Sequence, residues 1–420
     1  MVDKNLFLYD LAVVAIMKDE EPYVKEWLYY HLLAGVDHFY IYDNDSKEEF
    51  KKILQPYIDA EIVTYTFFPG KGRQYECYND AFKRFKFECR YMAFIDADEF
   101  IFPKSKPTIA EVVDEILLPD QNAAALGANW IFFGSNNLEK ADYNVGVLDR
   151  FTYRETNVDS HIKTIANPRM INFFMNPHYA NYFDGRYSVN ENGKPFLGPF
   201  NEEKTADKIQ ISHYHTKSAE EWAKKVERGT ADNTMKRDAT FFSHENYNDE
   251  EDDGILKYRD ERKAALMPDG NISTLLQLKQ INYPRLLNAI SLNLFQTVIL
   301  GTPPQFFAGK MDNFLTCLSL SAHFRGKVLD ETGAKFFEEA ALNAIHKTLY
   351  AGVMDIADIM LLIGEMPKIL KLNYPAVKNI RDALLQIIPQ MLEVLRLQSR
   401  WQEFTDLEYK LEMLKTFKIN

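Results

Sequence analysis

The sequence predicts an α/β protein, a mostly parallel sheet covered by helices and followed by an all-α segment, and three observations carry this expectation. Short apolar runs rich in β-branched residues alternate with stretches of helical spacing, as parallel strands buried on both faces do when crossover helices join them. Two of those runs close in clustered carboxylates, Asp43-Asn44-Asp45 and Asp96-Ala97-Asp98-Glu99, and such sheets bind ligands outside the carboxyl ends of their strands. Beyond about Pro268 apolar residues recur at helical spacing, as in Ala383-Leu384-Leu385-Gln386-Ile387-Ile388, the mark of amphipathic helices. Residues 1–265 are expected to form the α/β domain and residues 266–420 a helical domain.

The run at 11–17 is the first strand. Pro22, behind the acidic Asp19, Glu20 and Glu21, can open a helix over 23–33 in which Trp27, Leu28, His31 and Leu32 share a face, and Gly35 ends it. A second strand at 38–42 ends in Asp43. A helix over about 47–57, a strand at 61–66, a loop at 69–72 and a helix over about 75–85 lead to the strand at 91–95. After its carboxylates, Phe100-Ile101-Phe102 returns to apolar surroundings. From 129 to 258 the texture is aromatic and rich in Asn and Gly, with short strands such as 209–214; it reads as an irregular α+β cover over the site. The acidic run 249–253 reads as a solvated loop. Pro303, Pro304, Pro367, Pro375 and Pro389 are expected to break the helical segment.

The 420 residues, 46% of them hydrophobic, are enough for two cores. A formal net charge of −12 excludes a general grip on nucleic acid, which needs a basic footprint. Positive charge for an anionic ligand has to be gathered locally, from a metal or a few lysines. Cys77, Cys89 and Cys317 are too few and too scattered for a disulfide framework or a zinc cluster. The first residues lack the features of an export signal, and no run approaches ~20 apolar residues. A cytoplasmic protein without a transmembrane segment is expected.

Positions i and i+2 of an extended strand project to one side, so Asp96 and Asp98 are expected to converge on one Mn²⁺ or Mg²⁺ ion. The bland alternative is a solvated turn. The apolar flanks favour the metal, because half-buried carboxylates persist when they are paired or ligating. His213 closes a strand, Ser218 and Glu221 stand at capping-box spacing, and a helix N-terminus beside Lys217 is a natural anion site. His215 is expected to point away from His213 as a structural residue, and Lys224 and Lys225 to form a solvated helical face. Gln74, Asn79 and Asp80 fall near the predicted pocket, with ordinary capping as the alternative. Trp130, Phe132 and Phe133 are candidates for stacking on a ligand or for core packing.

Taken together, Ala12-Val13-Val14-Ala15-Ile16-Met17-Lys18-Asp19-Glu20 with the Glu26-Trp27 helix, Tyr42-Asp43-Asn44-Asp45-Ser46, Phe94-Ile95-Asp96-Ala97-Asp98-Glu99-Phe100, Trp130-Ile131-Phe132-Phe133-Gly134-Ser135 and His213-Tyr214-His215-Thr216-Lys217-Ser218 resemble glycosyltransferase family 92 and related family 2 enzymes of the GT-A fold. The match in order and spacing extends over about 11–258. The resemblance implies a metal-dependent, inverting transfer of a hexose such as galactose from a nucleotide sugar, UDP-linked, to a glycan acceptor in polysaccharide synthesis. It implies that Asp98 and His213 ligate the metal and that Asp96 faces the metal or the ribose. Lys217 would neutralise the departing diphosphate, Asp43 would contact base or ribose, and the segment from Ala15 to Lys18 would form the pocket wall, with Gln74 close to the nucleotide. Lys163 and His178 lie in stretches that also resemble the family, without an implied role.

Inversion needs a carboxylate to take the acceptor's proton. The candidates are Glu155, Asp159, Asp184 and Asp252, with Glu155 favoured. Two rivals stand beside this reading. A nucleotidyltransferase would want a Gly- and basic-rich phosphate loop after the first strand, where Lys18-Asp19-Glu20-Glu21-Pro22 is acidic. A non-catalytic sugar-binding or assembly module would not need Asp96, Asp98 and His213 together. Acceptor positioning, self-association into a homo-oligomer and peripheral membrane contact are the roles open to the helical half.

Overall fold

The computed structural model describes residues 7–228 and 241–279 apart from 87, 121 and 184, and, further on, 318, 321–322, 325, 331–350, 354–372 and 374–416. Asp184, Cys317, Pro303 and Pro304 lie outside the described residues. The chain divides into two compact units, Lys4–Asn288 and Ala289–Asn420.

The first unit begins with alternating strands and helices: β1 (Tyr9–Met17), α1 (Val24–Leu33), β2 (His38–Asp43), α2 (Glu48–Asp59), β3 (Val63–Phe67), α3 (Gln74–Phe85) and β4 (Cys89–Phe94). β1 pairs in parallel with β2 on one side and β4 on the other, and β3 extends the sheet beyond β2. Its residues serve two cores, as strand alternation requires. Leu11, Val13, Ala15 and Met17 pack with Trp27 and Leu28 on one face, while Ala12, Val14 and Ile16 pack with Tyr78 and Phe82 on the other. β3 starts two residues later than expected because Glu61 takes a left-handed φ of 57° and its amide bonds the Ile58 carbonyl, closing the turn after α2.

After β4 come β5 (Glu99–Pro103), α4 (Ile109–Leu117), β6 (Ala123–Phe132), α5 (Val147–Arg150), β7 (Tyr153–Arg154), β8 (Ile162–Ala166), β9 (Ile171–Phe174), β10 (Ala180–Tyr182), β11 (Tyr187–Val189), β12 (Pro195–Phe196) and β13 (Ile209–His213). β8 is antiparallel to both β4 and β6. β13 runs parallel to β6 and antiparallel to β5, with His213 opposite Phe132 and Glu99. The outer edge of β5 is satisfied by side chains of α1. Trp27 Nε1 donates to the Glu99 carbonyl (2.8 Å), the Tyr30 hydroxyl to the Ile101 carbonyl (3.1 Å), and the Ile101 amide to His31 Nε2 (3.2 Å). Burial lowers His31 to a pKa of about 3, so the ring is neutral and can accept that bond while Nδ1 donates to the Trp27 carbonyl.

Next are α6 (Ala219–Arg228), α7 (Phe241–Glu245), β14 (Glu250–Glu251), α8 (Gly254–Leu266) and α9 (Ile272–Leu278). The acidic run 249–253 is not simply a solvated loop: β14 pairs with β7, and Arg154 is salt-bridged to both Glu250 and Asp252. Met267, just after α8, and Leu275, within α9, belong to the core of the first unit. The second unit holds α10 (Glu331–Tyr350), α11 (Ile356–Ile369), α12 (Pro375–Leu397) and α13 (Trp401–Thr416). Pro375 opens α12 as a first-turn proline. Pro367 and Pro389, expected as breaks, lie inside α11 and α12, where buried Ile380, Leu384 and Ile388 anchor α12 through the interruption. Among the described residues no helix is long and apolar enough to cross a membrane.

The expected capping box starts α6. Glu221 accepts from the Ser218 amide (3.1 Å), and the Glu221 amide donates back to Ser218 Oγ (3.3 Å). The same carboxylate takes two bonds from Arg150 (2.9 and 3.0 Å) and one from the Tyr23 hydroxyl (2.9 Å). Both charged side chains of this pair are at most 5% exposed. Removing one member of such a pair leaves the other buried without compensation, at about 3–5 kcal/mol, far above the ~0–1 kcal/mol of a surface pair. Arg150→Ala should therefore cost about 3–5 kcal/mol in chemical denaturation, and a loss under 1 kcal/mol would contradict this role.

Candidate active site

The site forms where β4 gives out. β4 ends at Phe94, and the Glu99 amide bonds the Asp96 carbonyl (3.2 Å), so residues 95–98 turn rather than extend. Period-two alternation therefore lapses, and Asp96 and Asp98 take different partners.

Asp96 faces α3 and β8. Gln74 Nε2 donates to its Oδ1 and Lys163 Nζ to its Oδ2 (2.8 Å). Gln74 is thus a holder of Asp96, buried and also bonded to Tyr78 (3.0 Å). Lys163 is fully buried, 3.6 Å from the equally buried Glu99. Burial pushes the Glu99 carboxyl well above its usual range despite Lys163. For Lys163 burial works against the charge, but Asp96 and Glu99 outweigh it and hold the ammonium charged.

Asp98 faces β13 and α6. Its Oδ1 lies 3.6 Å from His213 Nε2, and its Oδ2 accepts from Lys225 Nζ at 2.5 Å. Burial alone would raise this carboxyl, yet Lys225 and His213 prevail and hold it well below the ordinary carboxylate range. Burial lowers His213, which keeps a free lone pair available. His215 joins them: its ring centroid is 5.2 Å from that of His213. Potential ligand atoms of Asp98, His213 and His215 all lie within 4.8 Å of one another. His215 is also 2.9 Å from Glu245, a carboxylate partner of the kind that orients metal-ligating imidazoles. Buried His213 Nδ1 finds no hydrogen-bond partner among the described residues. Two imidazoles and a carboxylate, one nitrogen of them unclaimed, fit a divalent cation.

A cleft of about 540 Å³ opens beside this cluster, bounded by Lys18, Asp19, Lys47, Thr216, Lys217 and Lys225 among others. Its rim is conformationally constrained. Asp19 and Lys217 sit in the left-handed region, with φ of 51° and 53°, and strained residues of this kind gather at functional sites. The Asp19 amide bonds Ser46 Oγ (2.9 Å), which ties the loop after β1 to the loop after β2. Asp43 lies behind that tie, buried, accepting from the Ser46 amide (2.9 Å) and the Tyr65 hydroxyl (2.6 Å). Lys217 Nζ rests 4.3 Å from the Tyr23 ring centroid. Lys18 bounds the cleft, whereas the Ala15 side chain is fully buried in the apolar core.

The carboxylates proposed as base differ in setting. Glu155 Oε1 accepts from the Phe132 amide (3.2 Å), and the Phe132 ring stacks on His213 with centroids 5.1 Å apart. Desolvation raises Glu155 to a pKa of about 7. Asp159 is bonded to His161 Nδ1 (2.6 Å); burial would raise its carboxyl, but His161 lowers it. Asp252 is paired with Arg154 (2.8 Å) and caps the Gly254 amide (3.0 Å). Trp130 packs on His213 and stacks on His161, at 4.4 and 4.9 Å between centroids, with its Nε1 buried and without a partner among the described residues. Asn79 is bonded to the backbone of Tyr75 and Phe174, away from the acidic pair, and Asp80 to Tyr42 and Arg84.

Sequence reasoning missed His215 and Lys225. His215 stands two residues after His213, the spacing that keeps side chains on one side, so the expectation that it points away was wrong in its geometry. Lys225 is buried rather than solvated. Its spacing of three and four residues from the buried Trp222 and Glu221 places it on the inward face of α6, a signal that was readable.

A mainly parallel sheet with an acidic turn and two histidines at one end of its strands, beside a lysine-bordered cleft, is the setting of a glycosyl-transfer enzyme. The chain belongs to glycosyltransferase family 92, whose model matches residues 13–250. It is similar to a family 92 protein of Ricinus communis, 25% identical over 165 residues that cover 39% of this chain and 30% of that protein. It is also similar to the galactan beta-1,4-galactosyltransferase GALS3 of Arabidopsis thaliana, 30% identical over 103 residues that cover 22% of this chain and 20% of that protein. The chain thus spans about a third or less of the length of the curated relatives it matches. Among solved structures, S. aureus TarS 1–349 is matched at a TM-score of 0.28 and 15% identity over 79% of this chain and 90% of that one.

Proposed function

We propose that this glycosyltransferase is divalent-metal-dependent and inverting, and that it moves a hexose, with galactose the leading candidate, from a UDP-sugar to a glycan acceptor. The observation that carries the reading is the convergence of Asp98, His213 and His215 beside the lysine-bordered cleft. The galactan galactosyltransferases among the relatives favour galactose. Imidazole nitrogen is a softer donor than the oxygen shell Mg²⁺ prefers, so Mn²⁺ is the better fit of the two cations.

Asp98, His213 and His215 would hold the ion, which when bound neutralises charge that develops on the leaving diphosphate. Lys217, over Tyr23 at the cleft, adds positive charge on the same side. Asp96, fixed by Gln74 and Lys163, presents a rigid acceptor to a sugar or ribose hydroxyl. Glu155 is the base in this reading. The acceptor oxygen bonds to the anomeric carbon as the bond to the diphosphate oxygen breaks, and the acceptor's proton passes to the Glu155 carboxylate. Asp252, already bound to Arg154, is the second candidate for that role.

Asp98→Ala should abolish UDP release from a UDP-hexose, as should a chelator, while circular dichroism remains native; full turnover in either case would contradict the metal reading. The Glu155 pKa of about 7 sets a pH dependence. Below it the carboxyl is protonated and cannot accept a proton, so the rate should rise through pH 7 and level off above. Glu155→Gln should lower kcat by about 10²–10⁴-fold and remove that limb from the profile. An unchanged acidic limb in the variant would eliminate Glu155 as the base.

A further inference from the structure

Lys225 has an unusual position for a lysine on a helix otherwise exposed along much of its length. Its ammonium has three N–H groups, and three acceptors surround it: Asp98 Oδ2 at 2.5 Å, the His215 carbonyl at 2.7 Å and His215 Nδ1 at 3.5 Å. The side chain is 9% exposed. All three acceptors belong to Asp98 and His215 of the cation cluster, so the ammonium already occupies part of the electrostatic seat that a metal would use. The same residue borders the cleft next to Thr216 and Lys217.

We infer that Lys225 is a resident cation that disfavours a bare divalent ion at Asp98, His213 and His215 and makes metal binding depend on a nucleoside diphosphate in the cleft. A free metal ion would meet a fixed like charge held in a poorly solvated pocket, where repulsion is screened little. A diphosphate reverses the balance, because its oxygens would ligate the metal and take over the ammonium's bond from Asp98 on the cleft side. Metal and nucleotide then bind cooperatively. Linkage requires each to raise the other's affinity by the same factor. The inference deepens the proposed function and rests on its metal site, but its signature is the sign of a binding change rather than the loss of a rate.

The test is Mn²⁺ titration followed by electron paramagnetic resonance, with and without UDP, on the full chain and on Lys225→Met and Lys225→Arg. In the unmodified protein UDP should tighten Mn²⁺ binding at least about tenfold, within the ordinary range of coupling between sites. Lys225→Met should bind Mn²⁺ alone more tightly, by about fivefold or more, and should lose most of the UDP enhancement. Lys225→Arg, which keeps the charge, should retain it. A purely structural lysine predicts the opposite sign, weaker Mn²⁺ binding in the Met variant as Asp98 loses its support. Equal Mn²⁺ affinity with and without UDP in the unmodified protein would overturn the inference even if the Met variant failed to fold. Weaker or unchanged Mn²⁺ binding in a folded Lys225→Met protein would overturn it too. Mn²⁺ binding in neither condition would instead remove the metal site on which the inference rests.

Discussion

The hydrogen bond from the Tyr214 amide to the Asp98 carbonyl, 2.8 Å long, is the contact on which the site depends. It continues the antiparallel ladder between β5 and β13 into the acidic turn and so sets two segments more than a hundred residues apart in register. Once that register exists, strand geometry delivers the rest. His213 falls opposite Glu99, its ring reaches the Asp98 carboxylate, and Tyr214 turns to the other side to pack on Phe133 and near Phe100. A slip of one residue would exchange histidine for tyrosine at the turn. The side chains of α1 protect the arrangement from behind by occupying the outer edge of β5.

Charge around the turn is divided between two buried lysines. Lys163 reaches Asp96 from β8, and Lys225 reaches Asp98 from α6. Each carboxylate has its own cation, which explains how two aspartates two residues apart persist at a strand end, Asp98 largely and Asp96 partly shielded from solvent. Isolated buried charges are very costly, so the acidic turn requires both lysines. The chain's overall acidity makes the local placement of these cations the more telling.

Much of the α/β half was readable because parallel strands buried on both faces are nearly continuous apolar runs. β1, β2 and β4 appear where their composition places them, and the capping box at Ser218 forms as its spacing predicts. What escaped was set by tertiary contact. The acidic turn departs from strand geometry, so alternation did not reveal that Asp96 and Asp98 have separate partners. Lys163 stands in an apolar strand, Ile162-Lys163-Thr164-Ile165-Ala166, where a buried charge demands a partner, but the sequence does not say which carboxylate answers it. The acidic run near Asp252 looked solvated until β7 and Arg154 were set beside it. Prolines inside α11 and α12 show the same override, apolar burial holding a helix together across a residue that would otherwise end it.

The central claim is that Asp98, His213 and His215 together seat a divalent ion. Anomalous scattering at the manganese edge from crystals grown with Mn²⁺ and UDP tests it most directly. The account predicts one strong peak within bonding distance of an Asp98 oxygen and of at least one of the two imidazoles, next to the diphosphate. A diphosphate bound in the cleft with no peak there, or with the metal ligated elsewhere, would contradict it.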